Sequence, residues 1–169
     1  SIKDFRVELS TEEFVENANN IKISLCSQTA NITPADKKFY ALRDVTATVE
    51  NLSLIASSIM SKKLAIGSDA IILDVKVGSG AFMKNIDEAI ALAKEMVEIG
   101  EGYGRETIAL VTNMDEPLGN AVGNALEIKE AIDTLQGNGP KDLYELCLEL
   151  GSRLLLLAKR VGNEKEGKF

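Results

Sequence analysis

Residues 70–77 read AIILDVKV, and GSG follows at 78–80. Five of the first six residues are apolar, and Asp69 and Gly78 bound the run. A short, nearly continuous apolar run of this kind is typical of a strand buried on both faces of a parallel sheet. The stretch therefore predicts a parallel sheet. The segments before and after it are interpreted in relation to that sheet.

The segments that follow this strand repeat an alternation of helix and strand. Asn85 is a candidate N-cap for a helix with apolar residues at helical spacing, and TIALVT at 107–112 reads as a second buried strand. A turn at 115–119 leads into a further helix, and a last helix begins at Lys141. That last helix ends in RLLLLA and is expected to be well buried. This order predicts parallel strands joined by right-handed helical crossovers.

The first thirty residues suggest a further part of the same sheet. FRVEL at 5–9 alternates apolar and polar residues, as a short strand does, and IKISLC at 21–26 is a second strand candidate. Between them, Ser10 and Glu13 fit a capping box that opens a helix. The opening therefore predicts strand, helix, strand.

Two linkers separate a helical piece from the rest of the chain. Residues 28–38 are rich in Thr, Asn, Asp and Pro, and a second break follows at 65–69. Between them a helix is predicted at 47–64. The predicted fold is α/β, a mostly parallel sheet with flanking helices plus part of a small all-helical lobe. Residues 1–30 and 69–169 are assigned to the α/β domain and 37–66 to the helical insertion, with ligands expected between the lobes or at the carboxyl edge of the strands.

Composition excludes several classes of function. The net charge of −7 and the pI of about 4.8 argue against nucleic acid or an anionic membrane as the main partner. The absence of histidine removes the commonest general base and most transition-metal sites. No apolar run is long enough to span a bilayer. Cys26 and Cys147 lie in apolar runs and are predicted to be buried, reduced thiols of a cytoplasmic protein.

The predicted helix at 47–64 carries polar residues that could meet at one ligand. Ser58 and Lys62 are one turn apart, on the same face and at the edge of the apolar stripe. Arg43 precedes the helix in what reads as a connecting segment. The three spacings are compatible with convergence on one small polar ligand. The alternative is a solvated helix end, with cations near its negative dipole end.

Two other segments have both a chemical and a structural interpretation. GSG at 78–80 lies between a strand and a helix, where glycine loops bind phosphate, but it lacks the rest of either phosphate-loop motif and also fits a tight turn. The turn and helix at 114–130 offer backbone carbonyls and Glu130, which are ligands that hard cations take. Glu130, like Glu127, also fits a solvated helix residue. Asp74 and Lys76 on the strand receive no assignment.

Three long blocks resemble the pyrimidine-nucleoside and thymidine phosphorylases. They are YALRDVTATVENLSLIASSIMSKKLA at 40–65, AIILDVKVGSGAFMK at 70–84 and MDEPLGNAVGNALEIKEAI at 114–132. The resemblance extends from FRVELSTEEF at 5–14 to the last helix. It implies a pentosyltransferase that converts a pyrimidine nucleoside and phosphate, reversibly, into the free base and (deoxy)ribose 1-phosphate.

The resemblance also implies a role for particular residues. It assigns Arg43, Ser58 and Lys62 to the pyrimidine base, with no separate catalytic residue. It assigns the backbone carbonyls of Leu118 and Ala121, with the carboxylate of Glu130, to a potassium-like monovalent cation. It implies a cytoplasmic homodimer that acts on a nucleoside and phosphate, without an organic cofactor, nucleic acid or membrane.

The resemblance is incomplete at the phosphate end. The family's glycine-rich phosphate loop would precede residue 1, and further parts would follow residue 169. We therefore expect this chain alone to be inactive in phosphorolysis and to bind pyrimidines weakly. Two alternatives remain open. One is a related transferase such as an anthranilate phosphoribosyltransferase, which needs a diphosphate site and magnesium carboxylates that the sequence does not show. The other is a non-catalytic α/β binding module.

Overall fold

The computed structural model describes residues 2, 4–27 and 33–168. No helix in these ranges is both long and apolar enough to cross a membrane. The elements are α1 (Thr11–Ile21), α2 (Pro34–Thr46), α3 (Leu52–Ala65), β1 (Ala70–Val77), α4 (Ile86–Gly102), β2 (Glu106–Asn113), α5 (Asn124–Leu135), α6 (Lys141–Leu157) and a 3₁₀ helix (Glu166–Lys168).

The two strands form a parallel pair with α4 as the crossover between them. Their register runs from Ala70 opposite Glu106 to Val77 opposite Asn113. Parallel neighbours need a long connection of this kind because the chain must return to the same end of the sheet. The predicted α/β class and the predicted bounds of the first strand are therefore confirmed, and the second strand is one residue longer at each end than predicted.

One hydrophobic core joins the sheet to two of the helices. It is formed by alternate residues of β1, one face of α4 and one face of α3. α3 packs into the same core as the sheet. The assignment of 37–66 to a helical insertion outside the α/β domain stays a prediction. The buried core residues are Ile55, Ala56, Met60, Ile71, Leu73, Val75, Met83, Ala89, Leu92, Ala93 and Met96.

Side-chain caps fix where three of the helices begin. Ser10 forms the predicted capping box with Glu13, whose carboxylate accepts from the Ser10 backbone N–H at 2.8 Å. This hydrogen bond, followed by that from Arg6, lowers the pKa of Glu13 below its usual value. Asn85 caps α4 as predicted, and Asn51 caps α3 through a bond from Leu54 N–H. Each cap satisfies a backbone donor that the helix itself cannot pair.

The two strands predicted at 5–9 and 21–26 are wrong. Both segments are irregular, although Ser27 N–H donates a hydrogen bond to the Val7 carbonyl at 2.7 Å. Within residues 4–27 no ladder follows this bond. Alternation of apolar and polar residues marks a surface that suits a strand, but a strand also needs a partner along its length.

The predicted helix at 47–64 corresponds to α3, which begins later than predicted, at Leu52, and ends at Ala65. The first part of the predicted linker, 28–32, lies outside the described residues, but Pro34 opens α2, as proline at the first helical position does. Ala47 then takes a left-handed φ of 54° and ends α2, so α3 begins only at Leu52. Arg43 therefore lies in a helix and not in a connecting segment.

The sequence predicted more burial for both cysteines and for the last helix than the structure shows. Cys26 and Cys147 are exposed, free thiols. Leu154 and Leu155, in the RLLLLA segment, are 49% and 41% exposed. In both places an apolar run correctly indicated an apolar surface, but within the described residues little packs against it.

A glycine in α4 provides a test of the packing between helix and sheet. A Cβ added at Gly100 would lie 2.1 Å from Thr107 Oγ1 and 3.0 Å from Thr107 Cβ, whereas at Gly102 it would meet open space. We expect Gly100→Ala to lower the free energy of unfolding by about 1–3 kcal/mol, because β2 must move away from α4. Gly102→Ala, the matched control, should leave it unchanged or raise it by up to about 1 kcal/mol.

Urea denaturation of the two variants beside the unmutated chain measures both effects. Equal stability of the Gly100→Ala and Gly102→Ala proteins would contradict the close contact between α4 and β2.

Candidate functional site

The candidate site lies between α2 and α3, which run antiparallel. Asp36, near the start of α2, contacts Lys62 near the end of α3. Arg43, in the last turn of α2, reaches back to the first turn of α3 and the segment before it. Asp36 and Arg43 are two turns apart on α2, so they project from the same side of that helix. Ser58 lies between these two contacts on α3.

Arg43 is held in a buried position by backbone carbonyls. Arg43 as a whole residue is only 6% exposed. The guanidinium donates to the carbonyl of Val49 and, at 3.4 Å, to that of Leu54, and it lies 5.1 Å from the ring centre of Tyr40. The Leu54 carbonyl is the helical acceptor for the amide of Ser58, so the guanidinium is within one turn of that residue.

One donor of Arg43 remains without a partner. Its Nε is buried and has no hydrogen-bond acceptor among the described residues. A buried N–H that is left unpaired costs free energy, and such groups are few in folded proteins. This donor is enclosed by the protein, so the structure does not present it to a ligand from outside.

Ser58 and Lys62 meet as the helical spacing predicts. Ser58 is 7% exposed, and Lys62 Nζ donates to its hydroxyl at 2.9 Å and to its carbonyl at 2.8 Å. Lys62 itself is partly buried, with 25% of its side chain exposed. The interpretation of this helix end as merely solvated is wrong for these two residues, since both are withdrawn from water.

Asp36 is the site residue that sequence reasoning missed. Its Oδ2 lies 2.7 Å from Lys62 Nζ, and only 10% of its side chain is exposed. In the sequence it stands in PAD at the start of a helix, where an acidic residue usually serves the helix dipole. The available signal was its spacing of seven residues from Arg43, which places both on one helix face once α2 is recognised.

The charges at this site favour a small anion or a polar ring. Arg43 and Lys62 are cations on the two facing helices, and the carboxylate of Asp36 contacts Lys62, so these three groups sum to a net charge of +1. Donors held in place at low exposure interact more strongly than the same groups in water. A separate cavity of about 520 Å³ lies on another face of α2, lined by Pro34, Ala35, Lys38, Phe39 and Leu42.

The GSG segment is a closed turn and not a phosphate cradle. Its backbone N–H groups and that of the next residue are all bonded within the protein, and the carboxylate of Asp115 lies against the turn. An anion would therefore find no unpaired amide there, which supports the tight-turn interpretation. The bonds run from Gly78 to Met83 O (3.0 Å), Ser79 to Asp115 Oδ1 (2.8 Å), Gly80 to Met114 O (2.9 Å) and Ala81 to Gly78 O (3.1 Å).

Asp74 and Lys76 form a polar cluster with Thr112 at the carboxyl end of the strands. Lys76 Nζ lies 2.7 Å from Asp74 Oδ2 and 3.0 Å from Thr112 Oγ1, and the threonine hydroxyl donates to Asp74. Sequence reasoning left both charged residues unassigned. In the structure they satisfy each other, so the cluster shows no donor directed at a ligand.

The structure brings Glu130 to the turn that contains the other two predicted cation ligands. Glu130 Oε1 accepts from the N–H groups of Asn120 and Ala121, each at 3.0 Å. Both of these bonds end on Oε1, and a Cβ added at Gly119 would lie 2.3 Å from Oε2. Glu130 is therefore a turn-binding residue of intermediate burial, not a solvated one. Leu118 is 44% exposed.

A second carboxylate holds the same turn from α6. Gly119 N–H donates to Asp142 Oδ2 at 2.8 Å, and this bond, followed by one from Leu143, lowers the pKa of Asp142. Glu127 accepts from Gly123 N–H at 2.9 Å and so caps α5. Within the described residues no cluster of three acidic, cysteine or histidine side chains could hold a metal. A cation here would depend on carbonyl oxygens beside Glu130.

Comparison with known proteins places the chain in a glycosyl transferase family. The family model described as glycosyl transferase family, a/b domain, matches residues 1–168. Proteins named pyrimidine-nucleoside phosphorylase are similar over 168 residues: 58% identical in Staphylococcus epidermidis, 57% in Geobacillus stearothermophilus and 56% in Bacillus subtilis. Each match covers 99% of this chain and 39% of the relative.

These findings confirm the resemblance that the sequence blocks indicated, and they set its extent. The chain spans about two fifths of the length of the relatives that it matches. Because one family model covers almost the whole chain, the fold and the site described above lie within one family domain. The chain belongs to the glycosyl transferase family, as a member matched over its a/b domain.

Proposed function

We propose that this chain carries the pyrimidine-binding half of a pyrimidine-nucleoside phosphorylase. The observation that carries the proposal is the placement of Arg43, Ser58 and Lys62 at low exposure on two antiparallel helices that contact each other. A guanidinium, a hydroxyl and an ammonium at low exposure match the carbonyls and ring nitrogen of a pyrimidine. The relatives named pyrimidine-nucleoside phosphorylase support this ligand and the reaction.

The proposed reaction transfers the pentose from the base to phosphate. The bond between the sugar and the pyrimidine breaks through an oxocarbenium-like state as a phosphate oxygen bonds to the same sugar carbon. The bonding electrons leave with the base, whose carbonyls and ring nitrogen become negative. Arg43 and Lys62 stabilise that charge, and Ser58 fixes the orientation of the ring. Base release by this route needs no histidine from this chain.

The geometry favours this function over the two alternatives. A phosphoribosyltransferase would need a diphosphate site with magnesium carboxylates, and the glycine turn at 78–80 has its amides bonded within the protein. A purely structural module gives no reason for a guanidinium that is 6% exposed and held by backbone carbonyls beside the helix that carries Ser58 and Lys62.

We also propose that Leu118 and Ala121 provide carbonyl ligands, with Glu130, for a monovalent cation such as potassium. The turn already wraps the carboxylate through two N–H bonds to Oε1, which leaves Oε2 facing Gly119. Oxygen ligands of this kind suit a hard cation. When bound, the ion would hold the turn against α5. A cytoplasmic homodimer acting on a nucleoside and phosphate completes the proposal.

The proposal predicts that activity depends on the rest of the enzyme. We define the exchange protein as the Bacillus subtilis relative in which residues 1–168 of this chain replace the matching stretch. The exchange protein should release uracil from uridine in the presence of phosphate. The isolated chain should release none, because it presents only the base end of the site. Absorbance of the released uracil measures both.

Two results would contradict this pair of expectations. One is turnover by the isolated chain. The other is an exchange protein that shows cooperative thermal unfolding and the relative's secondary structure but releases no uracil.

Removing either cation should slow the reaction of the exchange protein severely. We expect Arg43→Ala and Lys62→Ala to lower kcat/KM for uridine by about 10²–10³-fold, since each removes a preorganised donor to the developing charge. Lys63→Ala, the matched control, alters an exposed ammonium on the same helix and should change kcat/KM by less than about 2-fold.

Steady-state kinetics with uridine and phosphate, combined with thermal melts of each variant, test this expectation. Unchanged kcat/KM in folded Lys62→Ala or Arg43→Ala protein would count against the assignment of the base site.

The cation proposal predicts a stabilising effect of potassium that depends on Glu130. The exchange protein should melt about 2–4 °C higher in potassium chloride than in choline chloride of equal ionic strength, because a ligand of the folded state stabilises it. Glu130→Gln should abolish this difference. Glu127→Gln, the control on the same helix, should preserve it. Equal potassium effects in all three proteins would contradict the site.

A further inference from the structure

The contacts of Lys62 show how its ammonium is held. An ammonium has three donors, and here its three acceptors are the hydroxyl and carbonyl of Ser58 and the carboxylate of Asp36, so a bound base would take the place of one of the Ser58 acceptors. Two of these acceptors belong to Lys62's own helix. The third acceptor, Asp36, belongs to the facing helix. Its carboxylate forms an ion pair with Lys62, with Oδ2 2.7 Å from Nζ. The direction of the ammonium across the gap between α2 and α3 is therefore set by Asp36.

A lysine needs such a constraint more than an arginine does. Its side chain has four flexible carbons, and fixing it costs conformational entropy. Without Asp36, the ammonium of Lys62 keeps only the two acceptors of Ser58, one turn away on the same helix. Its exposed fraction of 25% shows that solvent is within reach as an alternative.

We propose that Asp36 is a positioning residue of the pyrimidine site, which holds the Lys62 ammonium where the departing base becomes negative. The inference rests on the proposed function, because it assigns Asp36 a part in the same base-binding site. It predicts that Asp36 acts on the reaction only through Lys62, and that its effect is largest for a base that is a poor leaving group.

The carboxylate also sets the charge of the site. With Asp36 the described groups carry a net charge of +1, which balances the single negative charge of a departing pyrimidine. Without it, two cations would face the base, but the mobile one would be poorly placed. Preorganised charge accelerates a reaction because no reorganisation is needed as the transition state forms. A well-placed Lys62 ammonium therefore accelerates the reaction more than an additional unit of positive charge would.

A structural role for Asp36 is the competing explanation. It stands in the first turn of α2, where a carboxylate stabilises the helix dipole, and its ion pair links α2 to α3. Either effect would weaken the fold and reduce activity in general. Such a loss would be the same for every nucleoside, and the part of it that comes from the helix dipole would persist when Lys62 is absent.

The experiment compares two nucleosides in the exchange protein. Asp36→Asn keeps the size of the side chain and removes its charge. We expect kcat for uridine to fall by about 10–100-fold, as misplacement of a reactive group by about 1 Å does, with KM for phosphate little changed. For 5-fluorouridine the loss should be several-fold smaller, since the fluorinated base is a better leaving group and depends less on the cation.

A double-mutant cycle identifies the route of the effect. In protein that already carries Lys62→Ala, adding Asp36→Asn should lower kcat by less than about 2-fold, because the group that Asp36 positions is gone. Asp87→Asn is the matched control. Asp87 occupies the first turn of α4, is exposed, and has no ion pair among the described residues. It should leave kcat for both nucleosides unchanged.

Each outcome has a definite meaning. Equal losses for the two nucleosides, or an undiminished loss in the Lys62→Ala protein, would overturn the inference and leave the proposed function intact. If Asp36→Asn fails to fold, Asp36→Glu takes its place: its carboxylate is displaced by one methylene, so it should show the same larger loss for uridine. If the folded, unmutated exchange protein is inactive, the proposed function fails and this inference fails with it.

Discussion

Burial of α3 on two sides is the constraint on which the candidate site depends. Ala56 and Met60 are fully buried in the core that α3 shares with β1 and α4. Ser58 and Lys62 face α2 from the same helix. Burying one methionine is worth about 1.5–3 kcal/mol, whereas a partly exposed ion pair is worth about 0–1 kcal/mol. Hydrophobic packing therefore fixes the position of α3, and the ion pair fixes only the direction of Lys62.

Sequence patterns predicted the fold where they were strong and self-contained. The run at 70–77 gave the bounds of β1, but the expected burial on both faces is wrong, because Ile71, Leu73 and Val75 are buried while Asp74, on the other face, is exposed. Asn85 and Ser10 were recognised as caps because capping depends on residues three positions apart. The segments at 5–9 and 21–26 failed because a strand depends on a distant partner, which a local pattern cannot supply.

The site could be predicted only in part for a related reason. Ser58 and Lys62 are joined by helical geometry, so their spacing revealed the contact. Asp36 is 26 positions from Lys62, and its contact depends on Ala47 ending α2 with a left-handed residue. An alanine rarely adopts that conformation, so the sequence favoured a continuous helix from 47. The sequence also pointed to Arg43, but as part of a connecting segment, and its bonds to the Val49 and Leu54 carbonyls were not foreseeable from residue types.

The distribution of charge separates base binding from phosphate binding. At the glycine turn the amides are used within the protein, and the Lys84 ammonium, which donates to the carbonyls of Ser79 and Ala81, offsets the charge of Asp115, so this turn offers an anion no unpaired amide. At α2 and α3 two cations outnumber the carboxylate of Asp36, and a donor of Arg43 remains unpaired among the described residues. Near neutral pH inorganic phosphate carries between one and two negative charges, and a departing pyrimidine carries one. A site of net charge +1 with planar donors is therefore better matched to the base. In the proposed reaction, phosphate must be bound by groups other than the glycine turn, on the side of the sugar that faces away from Lys62.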